Sequence, residues 1–208
     1  MNKTRRLLLL VVSASTLLFG CNNNDIPQEG EQYQTLTTNL ATFRIQPVTE
    51  IFSLTCSHCR NMESVLPELE SLTEQKIGKV HVTFNQGAKS AAAIYYSAVM
   101  QLNHKPNDEM MSELFAAVQL GNDKSQQEKQ AAIANVFTNH GLIPPAQLSL
   151  AQQKTLMNYV KTAEKITQQG NIQAVPTFIV AGKYQILTEG HDNVKQLAHT
   201  INYLLNPQ

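Results

Sequence analysis

Tryptophan is absent from this 208-residue chain and aromatic residues make up only 6%, which weakens any reading that relies on the stacking platforms single-stranded nucleic acid needs. An excess of one charge sign is missing too. Sixteen basic and sixteen acidic residues cancel, so no global field draws the chain to nucleic acid or anionic lipid. Cysteine is scarce, and three at this length cannot build a disulfide scaffold. No apolar run is long enough to span a bilayer. The stretch from Leu7 to Phe19 covers about 20 Å as a helix, short of the ~30 Å hydrocarbon core. What remains is 42% hydrophobic residues, the composition of an ordinary globular protein of one domain, or one domain carrying an insertion.

The short apolar run does have a use. Lys3, Arg5 and Arg6 precede it and small residues follow, the pattern of an export signal over residues 1–20. Leu18-Phe19-Gly20-Cys21 resembles the lipobox of bacterial lipoproteins, in which the cysteine becomes the lipid-modified N-terminus; Phe19 departs from the usual small residue. Residues 21–31 are polar and turn-rich, and read as a tether. Export places the other two cysteines where a disulfide can persist.

Along the mature chain, Val48 to Leu54 reads as a buried strand and Lys79 to Phe84 as a second. Between them Met62, Val65, Leu66, Leu69 and Leu72 fall at helical spacing, with Pro67 expected to kink the helix. Residues 85–170 then switch to helical period, with apolar stripes through Ala91–Leu102, Met110–Val118, Ile133–Phe137 and Leu156–Ile166. Pro176 to Val180 and Tyr184 to Leu187 read as a hairpin, and Asp192 to Leu205 as a closing helix. The order predicts a small α/β sheet over residues 32–84 and 171–208, interrupted by a helical block.

Cys56-Ser57-His58-Cys59 lies where the first strand hands over to a helix. A sulfur at that position faces backbone N–H groups without helical partners, and His58 adds a donor or a positive charge; both favour the thiolate, the form that exchanges disulfides. Cys56 comes first and is expected to be the exposed nucleophile; Cys59, one turn in, the shielded resolving thiol. A zinc site would need two further ligands at suitable spacing, which the remaining histidines do not provide. A purely structural bridge would close a tiny loop and stabilise little. A Cu(I) site made of the pair and His58 stays open. Glu50 shares a strand face with Phe52 and Leu54, so its carboxyl is expected to be desolvated and its pKa raised; the alternative is a wet position on an edge strand. Proline at a strand start, as at Pro176, is common on steric grounds alone.

Taken together, EIFSLTCSHCRNME, KVHVTF, the helical block ending near NVFTNHGL, and AVPTFIVAGKYQI resemble the bacterial DsbA-type thiol:disulfide interchange proteins across nearly the whole mature chain. The resemblance implies a thioredoxin-like fold with an inserted all-helical domain. It implies that Cys56 is the nucleophile, Cys59 the resolving cysteine and His58 the residue that stabilises the thiolate. Glu50 matches a buried acid, with Glu63 and Lys79 as its charged neighbours. Val175-Pro176 matches a cis-proline loop that packs on the cysteines and offers backbone to substrate. Ser57 departs from the usual proline.

The expectation is therefore a monomeric, periplasmic, lipid-anchored dithiol oxidase that needs no metal or organic cofactor. Its substrates would be cysteine-containing unfolded exported proteins, and a quinone-linked membrane oxidase of the DsbB kind would reoxidise it. The alternatives are a dithiol reductase or isomerase in the same compartment, and a Cu(I)-binding lipoprotein.

Overall fold

Strand β2 (Val48–Phe52) is buried along its whole length, and it organises the molecule. It pairs in parallel with β3 (Ile77–His81) and antiparallel with β4 (Thr177–Val180). β4 continues into β5 (Tyr184–Ile186) through a hairpin, and β1 (Tyr33–Thr35) closes the far edge against β5. The five-stranded order is β1-β5-β4-β2-β3. The computed structural model describes residues 26–121 and 123–206, so the export signal and the Cys21 lipobox lie outside the described residues.

The hairpin turn shows why a glycine stands where it does. Ala181 and Gly182 both have positive φ, 51° and 66°, the requirement of a two-residue turn whose twist matches its strands. Gly182 is constrained twice: a Cβ there would lie 2.4 Å from the Ala41 backbone nitrogen.

Helices α1 (Ser57–Met62) and α2 (Leu66–Thr73) follow β2, and α7 (Val194–Leu205) ends the chain. Between β3 and β4 come α3 (Gln86–Leu102), α4 (Asp108–Val118), α5 (Gln126–Asn139) and α6 (Leu150–Gln169). Their starts are written locally. Asn85 and Asn107 cap α3 and α4, and Ser125 with Glu128 and Ser149 with Gln152 form capping boxes at α5 and α6. No helix among the described residues is long and apolar enough to cross a membrane.

Two packed clusters sit on the sheet, as strand alternation requires. Phe178 and Val180 join Leu66, Leu69, Leu197, Ile201 and Leu204 in one cluster. Ile179 and Ile51 join the buried faces of α3 to α6 in the other.

Two expectations change, and one strand was not foreseen. Pro67 does not kink one helix; it sits in the first turn of a separate one, α2, after a break at Glu63–Val65. The missing N–H of proline costs nothing in a first turn. The strand ends differ from their apolar runs: β2 stops at Phe52 rather than Leu54, and β3 spans Ile77–His81 rather than Lys79–Phe84. Val82 and Thr83 are buried in the loop that follows, Val82 still donating its N–H to the Phe52 carbonyl at 2.9 Å. β1 has no alternating apolar pattern; it is a three-residue edge paired with β5, with one further bridge from Tyr33 to Glu29.

Candidate active site

The chain leaves β2 at Phe52 and makes a tight turn before α1. The Cys56 N–H donates to the Ser53 carbonyl at 3.0 Å, which closes that turn. Cys56 is the N-cap of α1, in extended conformation, and its sulfur accepts the Cys59 N–H at 3.3 Å. Cys56 is partly exposed and Cys59 is fully buried. One sulfur is offered to solvent and the other lies one helical turn beneath it.

Burial pushes the Cys59 thiol well above the ordinary range and the neighbouring Cys56 sulfur pushes the same way; the Ser53 backbone pulls against them, and the Glu50 carboxylate adds a smaller push upward.

The Val175–Pro176 peptide is cis, and the Cys56 thiol points at the Val175 carbonyl, 3.6 Å away. His58 is exposed at the same mouth. It lines a groove of about 370 Å³ with Met62, Val65, Ala174, Val175 and Pro176. A larger cleft of about 770 Å³ lies beside Leu66, Lys76 and Met111, but no thiol lines it.

Glu50 stands on β2 opposite Lys79 on β3. It is on an internal strand with no exposed surface, which removes the wet-edge alternative. Its Oε2 is ion-paired to the buried Lys79 ammonium, which also bonds Glu63 Oε1 at 2.7 Å and lies 4.6 Å from the Phe52 ring centroid. Glu50 Oε1 has no partner. Burial raises the Glu50 carboxyl to about 7 in spite of Lys79, with Glu63 adding to the rise. For Lys79, burial pulls the ammonium down, but the two carboxylates outweigh it and hold it above its usual range. The trio therefore carries one negative charge too many for its surroundings, and Glu50 is where a proton settles.

Cys56, Val175 and Pro176 thus meet at the surface with His58 beside them, Cys59 lies buried directly beneath, and Glu50, Glu63 and Lys79 form an ion-paired trio around the buried Lys79 ammonium. Two further residues hold the loop, and the sequence did not single them out. His81 is buried and neutral, its burial driving its pKa down to about 4. Its Nδ1–H donates to the Val82 carbonyl at 2.7 Å, leaving Nε2 to accept the Leu54 N–H at 2.9 Å. Gln119, at the end of α4, donates to the carbonyls of Leu54 and Cys56 at 2.9 and 3.0 Å. A histidine inside a run of β-branched residues was a weak signal for His81. Gln119 had none, since its partners lie 63 and 65 residues away. Among the described residues no group of three or more His, Cys, Asp and Glu could hold a metal.

The thioredoxin family profile matches residues 46–202. The thiol:disulfide interchange protein DsbA of Salmonella typhimurium is 30% identical over 210 residues, covering 95% of this chain and 97% of that protein. The chain belongs to the DsbA family of thiol:disulfide interchange proteins. It is a thiol:disulfide oxidoreductase with a thioredoxin-like fold and a helical insertion. DsbA of Escherichia coli K12 is 28% identical over 209 residues, covering 95% and 93% of the two chains. In solved structures, a variant DsbA of Pseudomonas aeruginosa superposes with a TM-score of 0.66 at 17% identity, covering 86% of this chain and 96% of that one. DsbA of Proteus mirabilis gives 0.60 at 20% identity, covering 86% and 97%.

Proposed function

We propose that this chain donates the Cys56–Cys59 disulfide to unfolded exported proteins in the periplasm, held at a membrane by a lipid on Cys21. The observation that carries the reading is the asymmetry of the pair: Cys56 partly exposed beneath the Val175 carbonyl, Cys59 fully buried. Residues 85–170 form the helical insertion and residues 32–84 with 171–208 the redox domain.

In the first step a substrate thiolate attacks Cys56 Sγ. The Cys56–Cys59 bond breaks, a mixed disulfide forms and the Cys59 sulfur leaves with the electron pair. A buried thiolate is costly, so Cys59 takes up a proton, and Glu50 is placed to hold one near pH 7. In the second step the substrate's other thiolate attacks the substrate sulfur of the mixed disulfide. A substrate disulfide forms, Cys56 leaves as a thiolate, and two electrons have passed to the enzyme. The Cys59 N–H stabilises that leaving thiolate and His58, at the mouth, adds to it. The groove beside Val175 and Pro176 receives the flanking substrate segment. A quinone-linked membrane oxidase of the DsbB kind would restore the disulfide.

The test is a pair of substitutions. Cys59→Ser accumulates mixed disulfides with exported proteins through Cys56, and Cys56→Ser forms none; adducts carried by Cys59 instead would reverse the roles. The redox potential decides direction: a value well above thioredoxin's, about −270 mV, fits donation, and one at or below it makes the chain a reductase. Cys21→Ser moves the protein from the membrane fraction to the soluble one, or leaves it unprocessed. Wild-type protein that fractionates as soluble and incorporates no fatty acid overturns the anchor.

A further inference from the structure

The carbonyl oxygens of Leu54 and Cys56 flank the nucleophilic sulfur along the chain, and an oxygen dipole close to a thiolate repels it. Both carbonyls are met by one group. Gln119 Nε2 donates to Leu54 at 2.9 Å and to Cys56 at 3.0 Å, while the Cys56 oxygen also takes the first helical N–H of α1, from Arg60 at 3.2 Å. Two acceptors on one side fix which end of the amide faces the loop, since only the NH₂ end can donate. The root of the side chain is fixed as well: the Gln119 N–H bonds the carbonyl of Phe115, whose buried ring packs 6.1 Å from that of Phe52. The amide therefore reaches out of the helical insertion and holds the redox loop at a set distance.

We propose that Gln119 is a positioning residue through which the helical insertion tunes the redox poise of the Cys56–Cys59 pair, by offsetting the carbonyl dipoles beside the Cys56 thiolate. The thiolate exists only in the reduced enzyme, so a donor at Gln119 favours the reduced form over the disulfide. A brace that merely held the loop would stabilise both forms equally. This rests on dithiol exchange at Cys56 and Cys59, and not on the direction in which it runs.

The experiment equilibrates the full-length protein and its Gln119→Leu, Gln119→Glu and Gln119→Lys variants against glutathione buffers. Two glutathione thiols reduce the enzyme disulfide to the dithiol and become one glutathione disulfide. Gln119→Leu should shift this equilibrium about fivefold toward the enzyme disulfide. Gln119→Glu places negative charge beside the thiolate and should shift it at least about tenfold, which is about 30 mV for a two-electron couple. Gln119→Lys restores a cationic donor and should shift it the opposite way from Glu. Unfolding midpoints of oxidised and reduced forms are measured alongside: the variants should narrow or widen the gap between the two forms in the same order. All three variants within twofold of wild type, with both forms losing stability together, would reduce Gln119 to a structural brace and overturn the proposal. A low potential in the wild type would instead overturn the donating direction and leave the comparison among variants intact.

Discussion

Glu50 is a carboxyl without solvent, with one oxygen unpartnered, and its ordinary value near 4.5 is raised to about 7. Between these two values the folded protein keeps a proton that the unfolded chain has already released. The unfolded state binds fewer protons there, so stability falls as pH rises from 4.5 to 7. The loss is complete above 7 and amounts to about 3 kcal/mol at 1.36 per unit. Glu50→Gln removes this slope while leaving Lys79 its Glu63 partner at 2.7 Å. In urea unfolding the variant should match wild type at pH 4.5 and exceed it by about 2–3 kcal/mol at pH 8, while its disulfide exchange slows because Cys59 has lost its proton store. A variant weaker than wild type at pH 8 would show that the ionised Glu50–Lys79 pair is a net stabiliser. Glu50 was legible in the sequence because a lone acid in an apolar strand is conspicuous. Lys79 and Glu63 came only through the family pattern, since pairing across strands is set by a register that no local signal carries.

Helix α1 starts without the proline that the family resemblance leads one to expect after the first cysteine. Its geometry would accept one. Cys56 has φ −95° and ψ 120°, the extended conformation that a residue before proline prefers. Ser57 is the first helical residue and is exposed, where a missing N–H leaves no helical bond unmade. Ser57→Pro should therefore stabilise by about 0.4–1 kcal/mol through the unfolded chain, raising Tm by about 1–4 °C in a protein of this size. A lowered Tm would mean that the Ser57 N–H is in use. The same reasoning explains why Pro67 was misplaced at the element level. A proline inside a helical stripe fits a kink or a fresh start equally well, and what decides is the packing of Leu66 and Leu69 against α7 and β4. Element types were readable from period. Strand ends were not, because burial of Val82 and Thr83 in a loop looks in sequence like strand.

Across the whole molecule the helical insertion and the sheet share one packed cluster. Phe52 of β2 meets Tyr95 of α3 at 5.0 Å and Phe115 of α4 at 6.1 Å. Neither half can open without exposing the other, so far-UV and near-UV circular dichroism should trace one transition, and Phe115→Ala should lower it by about 3–5 kcal/mol. A separate melting of the helices would contradict the shared core. One transition also makes redox state readable as stability. Oxidation ties into a disulfide the sulfur that accepts the Cys59 N–H. In the unfolded chain, by contrast, a bridge between residues three apart closes so small a loop that it changes the reference state little. A strong oxidant is a protein whose reduced form is the stabilised one, each 30 mV corresponding to about 1.4 kcal/mol. The reduced protein should therefore unfold at a higher guanidinium concentration than the oxidised protein, the reverse of what a structural disulfide produces. Equal midpoints would place the pair at the potential of an unconstrained dithiol. A more stable oxidised form would make the chain a reductase, with the same two sulfurs run in the other direction.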